Sequence, residues 1–294
     1  MNATSFLGHK PIGRIGFGAM QLAGPGVFGP PRDPDGARAV LRRAIELGVD
    51  HIDTSQYYGP DVVNELIREA LHPYPDNLKL VTKVGARRDE NAAWLPALSP
   101  AELRQGVEDN LRSLRVERMD LVNLRVADES GGPGEPTEEQ VAMLRDLQAE
   151  GKLDLIGISN VTLDGLRTAA ELTELGEVQN AYSVMDRSNE PLLEFCREHE
   201  IAFVPFFPLG SAFAGGPAKL AADPAVAAVA AKHGATPSQV ALAWLLARYD
   251  RMLLIPGTTS VVHLEENLAA GNVALDAEDR EALDGVRQVG RPQR

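Results

Sequence analysis

The sequence predicts a closed (β/α)8 barrel formed by a single domain that spans residues 1–294. Eight segments with the pattern of a strand are each followed by a segment with the pattern of a helix, which is how such barrels are built. The glycine-rich fingerprint of an open dinucleotide-binding sheet is missing, because Gly16 and Gly18 are not followed by its third glycine. Neither a linker nor a shift of composition divides the chain, and one barrel domain commonly has about this length.

The elements follow from the period of the apolar residues. Residues 6–8 and 11–13 flank a turn and predict a short N-terminal hairpin, whereas residues 24–34 contain too much glycine and proline for a regular element. Short apolar runs predict the strands, and apolar residues every three or four positions predict the helices. The predicted strands cover residues 14–19, 49–53, 78–84, 119–124, 155–159, 178–179, 202–206 and 252–255. The predicted helices cover residues 36–47, 61–71, 101–114, 138–150, 163–174, 191–199, 237–248 and 264–270, with a further helix at 277–286 before a short C-terminal tail.

Helix starts and loops complete this outline. Ser99 is a good N-cap and Pro100 a good first residue for the helix at 101–114. Long loops at 86–99, 126–136 and 209–220 follow strands, so we expect them to rise over the carboxyl ends of the strands.

Charge and composition exclude several partners. The chain has 29 basic and 42 acidic residues, a formal net charge of −13, and no long basic run, so we expect no nucleic-acid partner and no anionic membrane surface. It has no apolar run of 18 residues and no signal-peptide pattern, which indicates a cytoplasmic protein. The lone Cys196 cannot form an internal disulfide, and the oligomeric state is left undetermined.

Polar residues stand at the ends of separate predicted strands, where a barrel places its active site. Asp53 ends the second strand, and Tyr58 lies on the loop after it. Lys83 ends the third strand and Arg125 ends the fourth. The following strands end in hydroxyl, amide and aromatic residues, namely Ser159, Asn160, Gln179 and Phe206.

These residue types indicate proton transfer. A lysine in the mouth of a barrel needs a carboxylate partner, and Asp53 on the neighbouring strand can provide it. A cation beside a tyrosine hydroxyl lowers its pKa from about 10, which would make Tyr58 a general acid near neutral pH. The set offers no second free carboxylate for glycoside hydrolysis, no metal-ligand cluster and no nucleophile with an adjacent base. A proton donor without a nucleophile indicates hydride transfer from a nicotinamide cofactor, although Lys83 and Asp53 without the tyrosine would indicate only a structural ion pair.

The motifs together resemble those of the aldo-keto reductase family. The resemblance extends from Phe6 to about Asp284. It is carried by residues 48–54, 58–59, 82–83, 157–160, 178–180, 255–257 and 266–267. Residues 18–26 and 122–126 further resemble a bacterial branch of the family that includes pyridoxal reductases.

The resemblance implies roles for individual residues and NADPH as the cofactor. Tyr58 would be the proton donor, with Lys83 and Asp53 tuning it. The nicotinamide carboxamide would be held by Ser159, Asn160 and Gln179, and its ring would stack on Phe206. Leu209, Gly210 and Ser211 would line the pyrophosphate. The adenosine end would lie against Gly257, Thr258, Thr259, His263, Glu266 and Asn267.

This chain departs from the family pattern at Arg125, where most relatives have histidine. Two roles for Arg125 stay open: it orients a substrate, or it neutralises Asp128. Trp94, on the loop after the third strand, either covers the pocket or anchors its loop. Ser159 and Asn160 are expected to cap the next helix as well as bind.

The functional hypothesis is an NADPH-dependent reductase of aldehydes, with pyridoxal among the candidate substrates and Tyr58 as the general acid. Two alternatives remain from the sequence. One is a nucleotide-binding sensor or accessory subunit with little turnover. The other is an alcohol or sugar dehydrogenase that runs the same chemistry in the oxidative direction.

Overall fold

A seven-stranded parallel sheet is the centre of the computed structural model, which describes residues 4–128, 131–210 and 215–288. The described strands are β1 (Thr4–Leu7), β2 (Lys10–Gly13), β3 (Phe17–Gly18), β4 (His51–Asp53), β5 (Lys79–Val84), β6 (Ala86–Arg88), β7 (Trp94–Pro96), β8 (Met119–Arg125), β9 (Leu153–Ser159), β10 (Leu175–Ala181) and β11 (Ala202–Phe206). The parallel sheet has the order β11-β10-β9-β8-β5-β4-β3. Each step along the chain therefore moves to the neighbouring strand, as a (β/α)8 barrel requires.

The helices pack on the outside of this sheet. The described helices are α1 (Pro34–Glu46), α2 (Val62–Leu71), α3 (Pro100–Leu114), α4 (Glu138–Ala149), α5 (Leu163–Leu172), α6 (Glu190–Glu198), α7 (Gly216–Ala222), α8 (Pro224–His233), α9 (Pro237–Arg248), α10 (Val261–Ala269) and α11 (Ala277–Asp284). In the described ranges, none of these helices is long and apolar enough to cross a membrane.

Residues 252–254 connect the two edges of the parallel sheet. Met252 forms a parallel bridge with Phe203 of β11, and Leu254 forms one with Ile15, just ahead of β3. The sequence predicts a full strand at 252–255, but here the pairing consists of single bridges. Pro256 follows directly and has no N–H to donate, so the pairing cannot extend further.

The antiparallel hairpin of β1 and β2 lies where the sequence predicts strands at 6–8 and 11–13. Leu7 and Ile12 are buried in an apolar cluster with inward-facing strand residues such as Leu121 and Leu155. Lys10 ties the hairpin to the amino ends of β8 and β9, because its Nζ lies 2.6 Å from Asp120 Oδ1 and 2.7 Å from Asp154 Oδ2. The hairpin therefore covers the end of the sheet opposite Asp53.

Several element boundaries differ from the prediction for local reasons. Helix α1 begins at Pro34 because Asp33 accepts a hydrogen bond from the Gly36 N–H at 2.9 Å, and α10 begins at Val261 because Ser260 is its N-cap. The first barrel strand is only Phe17–Gly18, since a 3₁₀ helix starts at Ala19. Strand β10 is longer than predicted and includes Glu177, a buried charged residue.

Two predicted loops contain regular structure. The loop at 86–99 contains the antiparallel pair β6 and β7. The region between β11 and α9 contains α7 and α8. The sequence of α8 is mostly alanine and valine, so it lacks the apolar stripe every three or four residues that marks an amphipathic helix. Alanine nevertheless has the highest helix propensity of any residue.

A buried polar network fixes β4 and β5 against the helices behind them. Asn110 Oδ1 accepts hydrogen bonds from Thr82 Oγ1 at 2.6 Å and from Asn64 Nδ2 at 3.0 Å. Asn64 Oδ1 in turn accepts one from Thr54 Oγ1 at 2.8 Å. Thr54 follows Asp53 and Thr82 precedes Lys83, so the network holds the two strand ends that carry the charged pair.

We expect Asn110→Ala to lower the free energy of unfolding by about 1–3 kcal/mol, because it leaves buried donors on Thr82 and Asn64 without their acceptor. Asn91→Ala, on the exposed loop between β6 and β7, is the matched control and should change stability by less than about 0.5 kcal/mol. Urea unfolding of the three proteins measures both values. Equal stabilities would show that the network contributes nothing.

Candidate active site

The carboxylate of Asp53 is the most constrained group at the carboxyl end of the sheet. Its side chain is 5% exposed. Oδ1 accepts a hydrogen bond from Lys83 Nζ, and Oδ2 accepts one from Gln179 Nε2 at 2.8 Å. Lys83 also donates to the carbonyl oxygen of Thr54 at 3.2 Å. A buried charge is tolerated only when it is paired and hydrogen-bonded, so these contacts hold Asp53 in place.

Gln179 reaches Asp53 across the inside of the sheet. Their strands, β10 and β4, are separated by β9, β8 and β5, so the hydrogen bond crosses the enclosed interior. The same Nε2 atom donates to Glu177 Oε1 at 2.7 Å. Because both of its partners are carboxylates, the amide nitrogen points at them and the amide oxygen points away.

Tyr58 lies on the loop between β4 and α2, next to the charged pair. It is 6% exposed, and its ring centroid lies 5.2 Å from Lys83 Nζ. Backbone hydrogen bonds hold this loop, from Tyr58 N to Ser55 O at 3.1 Å and from Gly59 N to Val27 O at 3.2 Å. Gly59 has φ of 82°, a left-handed conformation that favours glycine directly after the tyrosine.

The predicted lowering of the Tyr58 pKa is wrong for this structure. Burial raises the pKa of Tyr58 well above its ordinary value, Asp53 raises it further, and Arg125 acts in the opposite direction. The physical reason is that the charge of Lys83 is bound to Asp53, while the buried surroundings of Tyr58 disfavour a phenolate. Tyr58 therefore stays protonated at neutral pH, which is the form that a proton donor needs.

Arg125, at the end of β8, faces the aromatic residues of this site. Its Cζ lies 5.7 Å from the centroid of the Phe206 ring, and its charge opposes the raised pKa of Tyr58. Among the residues that the structure describes, Arg125 forms no ion pair with a carboxylate, and the Asp128 carboxylate accepts the Gly132 N–H at 2.7 Å. Arg125 therefore lies beside Phe206, on the side of the site that carries Tyr58.

Among the buried polar atoms that lack a partner within the described ranges, two lie at neighbouring strand ends next to the charged pair. They are Oγ of Ser159 and Oε1 of Gln179. The two residues are direct partners in the pairing of β9 with β10, so the atoms lie on adjacent strand ends. A free hydroxyl donor beside a free amide acceptor is complementary to a primary carboxamide.

Asn160 has a structural role that the sequence did not indicate. It adopts a left-handed conformation with φ of 57°, and its Nδ2 donates to Val126 O at 2.8 Å and to Gly132 O at 2.9 Å. The predicted capping role is wrong for Ser159 and Asn160, because Thr162 caps α5 by accepting the Gly165 N–H at 3.0 Å. Only the amide oxygen of Asn160 is left for a bound molecule.

The residues predicted for the distal parts of a cofactor lie on loops around the same rim. Leu209 and Gly210 follow β11 and are half-buried, while Ser211 lies outside the described residues. Gly257 packs tightly against β3, because a Cβ there would lie 2.4 Å from the Gly18 carbonyl oxygen. Gly18 pairs with Asp53, so the 257 loop stands one strand away from the charged pair.

The rest of the distal set surrounds the start of α10. Thr258 Oγ1 accepts the Ser260 N–H at 3.1 Å, and the Ser260 hydroxyl accepts the His263 N–H at 3.4 Å. Thr259 and His263 are exposed, Glu266 is half-buried, and Asn267 is buried. These residues do not contact Asp53 or Lys83 directly.

The loop that carries Trp94 is anchored by ring and hydrogen-bond contacts. Trp94 is 42% exposed and packs edge-to-face on Tyr57, with ring centroids 5.6 Å apart. Arg88 Cζ lies 4.0 Å from the Trp94 ring centroid, and its guanidinium donates to Val27 O at 2.7 Å. These contacts support the second alternative for Trp94, that it anchors its loop.

Sequence reasoning missed Glu177 as part of the site. The predicted strand began at 178, so its charged neighbour was left outside. The signal was present, because Glu177 and Gln179 are two positions apart and must share one face of a strand.

Comparison with known proteins decides the family. A sequence model of the Aldo/keto reductase family matches residues 14–288. The chain belongs to the aldo/keto reductase family. It is therefore a nicotinamide-dependent oxidoreductase, as the motifs and the strand-end chemistry predicted.

Individual relatives agree with this assignment. The chain is 51% identical to pyridoxine 4-dehydrogenase of Escherichia coli (strain K12) over 97% of this chain and 99% of that protein. An aldo/keto reductase from Klebsiella pneumoniae, solved in complex with NADP and acetate, superposes with a TM-score of 0.80 at 25% identity, covering 99% of this chain and 98% of that one. An aldo-keto reductase from the same organism in complex with NADPH gives a TM-score of 0.79 at 25% identity, covering 99% and 97%. The (β/α)8 architecture is that of the family.

We expect Lys83→Met to lower the free energy of unfolding of this aldo/keto reductase by about 3–5 kcal/mol, because it leaves the Asp53 carboxylate buried without its cation. Adding Asp53→Asn should recover part of this loss, since the double variant has no buried charge to compensate. Lys79→Met, at the half-buried start of the same strand, is the control and should cost under about 0.5 kcal/mol. Chemical denaturation gives all the values, and losses that simply add would contradict coupling between the two residues.

Proposed function

We propose that the chain is an NADPH-dependent reductase of aldehydes, with pyridoxal as the substrate to test first and Tyr58 as the general acid. The observation that carries the proposal is the conjunction of a protonated, buried tyrosine with the Asp53–Lys83 pair and the unpartnered Ser159 and Gln179 atoms. The 51% identity to a pyridoxine 4-dehydrogenase supports the substrate class, because pyridoxal is the aldehyde that corresponds to oxidation of pyridoxine at that position.

The cofactor site fits a nicotinamide. The Ser159 hydroxyl can donate to the carboxamide oxygen, and Gln179 Oε1 can accept from the carboxamide nitrogen, which would satisfy both unpartnered atoms. Phe206 offers an aromatic face at the end of β11 for the ring. The distal loops, Leu209–Gly210–Ser211 and Gly257 to Asn267, would hold the pyrophosphate and adenosine end. When bound, NADPH supplies the hydride.

The residues of the chain account for the proton. Tyr58 keeps its proton at neutral pH because burial disfavours the phenolate. The carbonyl oxygen becomes an alkoxide-like acceptor during reduction, and an alkoxide is a stronger base than a phenolate, so it takes the Tyr58 proton. Arg125, whose charge opposes the raised pKa of Tyr58, then stabilises the phenolate that remains, and Lys83 adds its charge 5.2 Å from the Tyr58 ring centroid. Asp53 and Gln179 keep the lysine in position throughout.

Arg125 adds substrate selectivity in this proposal. Its guanidinium carries a permanent charge and several donors, so it favours substrates with an anionic oxygen near the aldehyde. Pyridoxal has a 3-hydroxyl ortho to its aldehyde and meets this requirement.

The oxidative direction is the second candidate. The name of the Escherichia coli relative describes oxidation of an alcohol, and the same groups catalyse both directions. In that direction the Tyr58 phenolate would accept the alcohol proton. Reduction consumes a proton, so acidic conditions favour the aldehyde-reducing direction.

The same proposal includes the closed form of the fold. The bridges of Met252 and Leu254 join β11 to the β3 edge, and we infer that they complete the barrel within one domain. Closure brings the 257 loop to the rim that carries Asp53, where one cofactor could span both.

We expect Tyr58→Phe to lower turnover of pyridoxal with NADPH by ~10²-fold or more, the usual effect of losing a positioned general acid. Binding of NADPH, measured by fluorescence titration, should stay unchanged because the hydroxyl serves the substrate. Tyr57→Phe is the matched control: its hydroxyl is buried, lacks a partner among the described residues, and should affect turnover by less than twofold. Wild-type turnover in the Tyr58 variant would remove this residue from the mechanism.

We expect Arg125→Ala to lose more kcat/KM toward pyridoxal than toward benzaldehyde. The difference should be about 1.5–3 kcal/mol, the contribution of a hydrogen bond to a charged group, or roughly 10- to 150-fold. Arg125→Lys tests geometry, because it keeps the charge and should recover only part of the loss. Steady-state kinetics with both aldehydes measures the difference, and equal losses for the two substrates would argue against contact of Arg125 with the anionic oxygen.

A further inference from the structure

Glu177 is a buried carboxylate inside the barrel that the mechanism does not use. It is 2% exposed, and its Oε1 accepts hydrogen bonds from Asn123 Nδ2 at 2.6 Å and from Gln179 Nε2 at 2.7 Å. Asn123 lies on β8 and reaches Glu177 on β10 across Gly157 of β9. A Cβ on Gly157 would lie 2.3 Å from Asn123 Oδ1, so the glycine leaves the space for this contact.

A local irregularity of β10 turns Glu177 inward. Leu175 pairs with Ile156 and Glu177 pairs with Gly157, so β10 has one more residue than β9 at this point. Such a bulge shifts the side-chain alternation by one position. From Glu177 onward the pairing is regular, so Glu177 and Gln179, two positions apart, point to the same interior, toward Asp53.

The charges that face Glu177 do not neutralise it. From β4 come the Asp53 carboxylate and the ring of His51; from β5 comes Lys83, which is bound to Asp53. From β8 and β10 come only the neutral amides of Asn123 and Gln179. Burial raises the pKa of Glu177 to about 7, and Asp53 adds to the rise, while the two amides and His51 oppose it.

We propose that Glu177 is a positioning residue for Gln179 and the internal counter-charge to the oxidised nicotinamide, so that it loses its proton when NADP+ binds and keeps it with NADPH. This inference rests on the proposed function, because Gln179 links the two: its Nε2 donates to Glu177, and its free Oε1 would accept from the carboxamide. The nicotinamide ring is positively charged when oxidised and neutral when reduced.

The sign of the effect follows from this charge difference. Below pH 7 Glu177 carries a proton in the free protein, and that proton must leave before Glu177 can stabilise the positive ring. Affinity for NADP+ relative to NADPH therefore rises with pH and levels off above the pKa of the free protein. The phosphates are common to both cofactors, so their titration cancels in the ratio of the two dissociation constants.

The test measures the Kd of NADP+ and of NADPH at pH 5.5 and pH 8 in wild type and in Glu177→Gln. In wild type the ratio Kd(NADP+)/Kd(NADPH) should fall by about three- to tenfold as pH rises, which corresponds to a pKa shift of about half to one unit. In Glu177→Gln, which keeps an acceptor oxygen for both amides, the ratio should be constant. Glu171→Gln, an exposed glutamate on α5, is the matched control and should behave as wild type.

Calorimetry on the wild type independently measures how many protons are released when each cofactor binds. Titrating NADP+ near pH 6.5 in two buffers of different ionisation enthalpy should reveal net proton release, and NADPH should release fewer protons. This measurement needs no variant, so it decides the matter even if Glu177→Gln fails to fold. A ratio independent of pH in wild type, equal proton release for both cofactors, or an unchanged dependence in Glu177→Gln each overturn the inference.

The thermal stability of the cofactor-free protein should also depend on the protonation of Glu177. A carboxyl group whose pKa is raised by folding stabilises the protein below its unfolded pKa of about 4.3, and this contribution is lost as pH rises through about 7. The Tm of wild type should therefore fall relative to Glu177→Gln across that window, and a constant difference overturns the titration of Glu177. If neither cofactor binds at all, the proposed function itself fails; if both bind with a pH-independent ratio, only this inference fails.

Discussion

The structure of this site depends on one constraint: the Asp53 carboxylate is buried, so it must be both paired with a cation and hydrogen-bonded. Lys83 supplies the charge from the neighbouring strand, and Gln179 supplies an amide from across the interior. The contact with Gln179 requires a sheet that curves back on itself, because β4 and β10 are not neighbours. The buried threonine–asparagine network behind β4 and β5 holds the register that makes the ion pair possible. Fold and site are therefore stabilised by the same strand ends.

The interior has an apolar end, next to the hairpin of β1 and β2, and a polar end, next to Asp53. Leucine, isoleucine and valine side chains fill the end covered by the hairpin, and His51, Glu177, Asn123 and Gln179 occupy the levels closer to Asp53. Charged groups in such a space are sensitive to one another, because water cannot screen them. This explains why Tyr58 and Glu177 both have raised pKa values, and why proton transfer and cofactor charge are coupled in the function that we propose.

Much of the site could be predicted because barrel topology constrains it. Once strands and helices alternate, residues at strand ends such as Asp53, Lys83 and Gln179 must share one rim, wherever they lie in the sequence. The prediction failed where local context decides. The amide nitrogen of Asn160 donates to the 126–132 loop, and Thr162 caps α5 instead. Strand β10 has an extra residue before Glu177 and begins earlier than predicted, so Glu177 belongs to the strand. The alternation of residues along a strand shows which side chains share a face. It does not show where the strand begins or where an extra residue is inserted.

The sequence by itself determined the family, the order of strands and helices, and the set of strand-end residues, because these follow from short motifs and from the period of apolar residues. Only the tertiary structure decided the direction of the Tyr58 pKa, since burial and the competing Asp53 charge depend on neighbours from different strands. It also decided that Arg125 lies beside Phe206 and that Trp94 packs against Tyr57. Electrostatic free energies depend on distance and on exclusion of water, and a linear sequence contains neither.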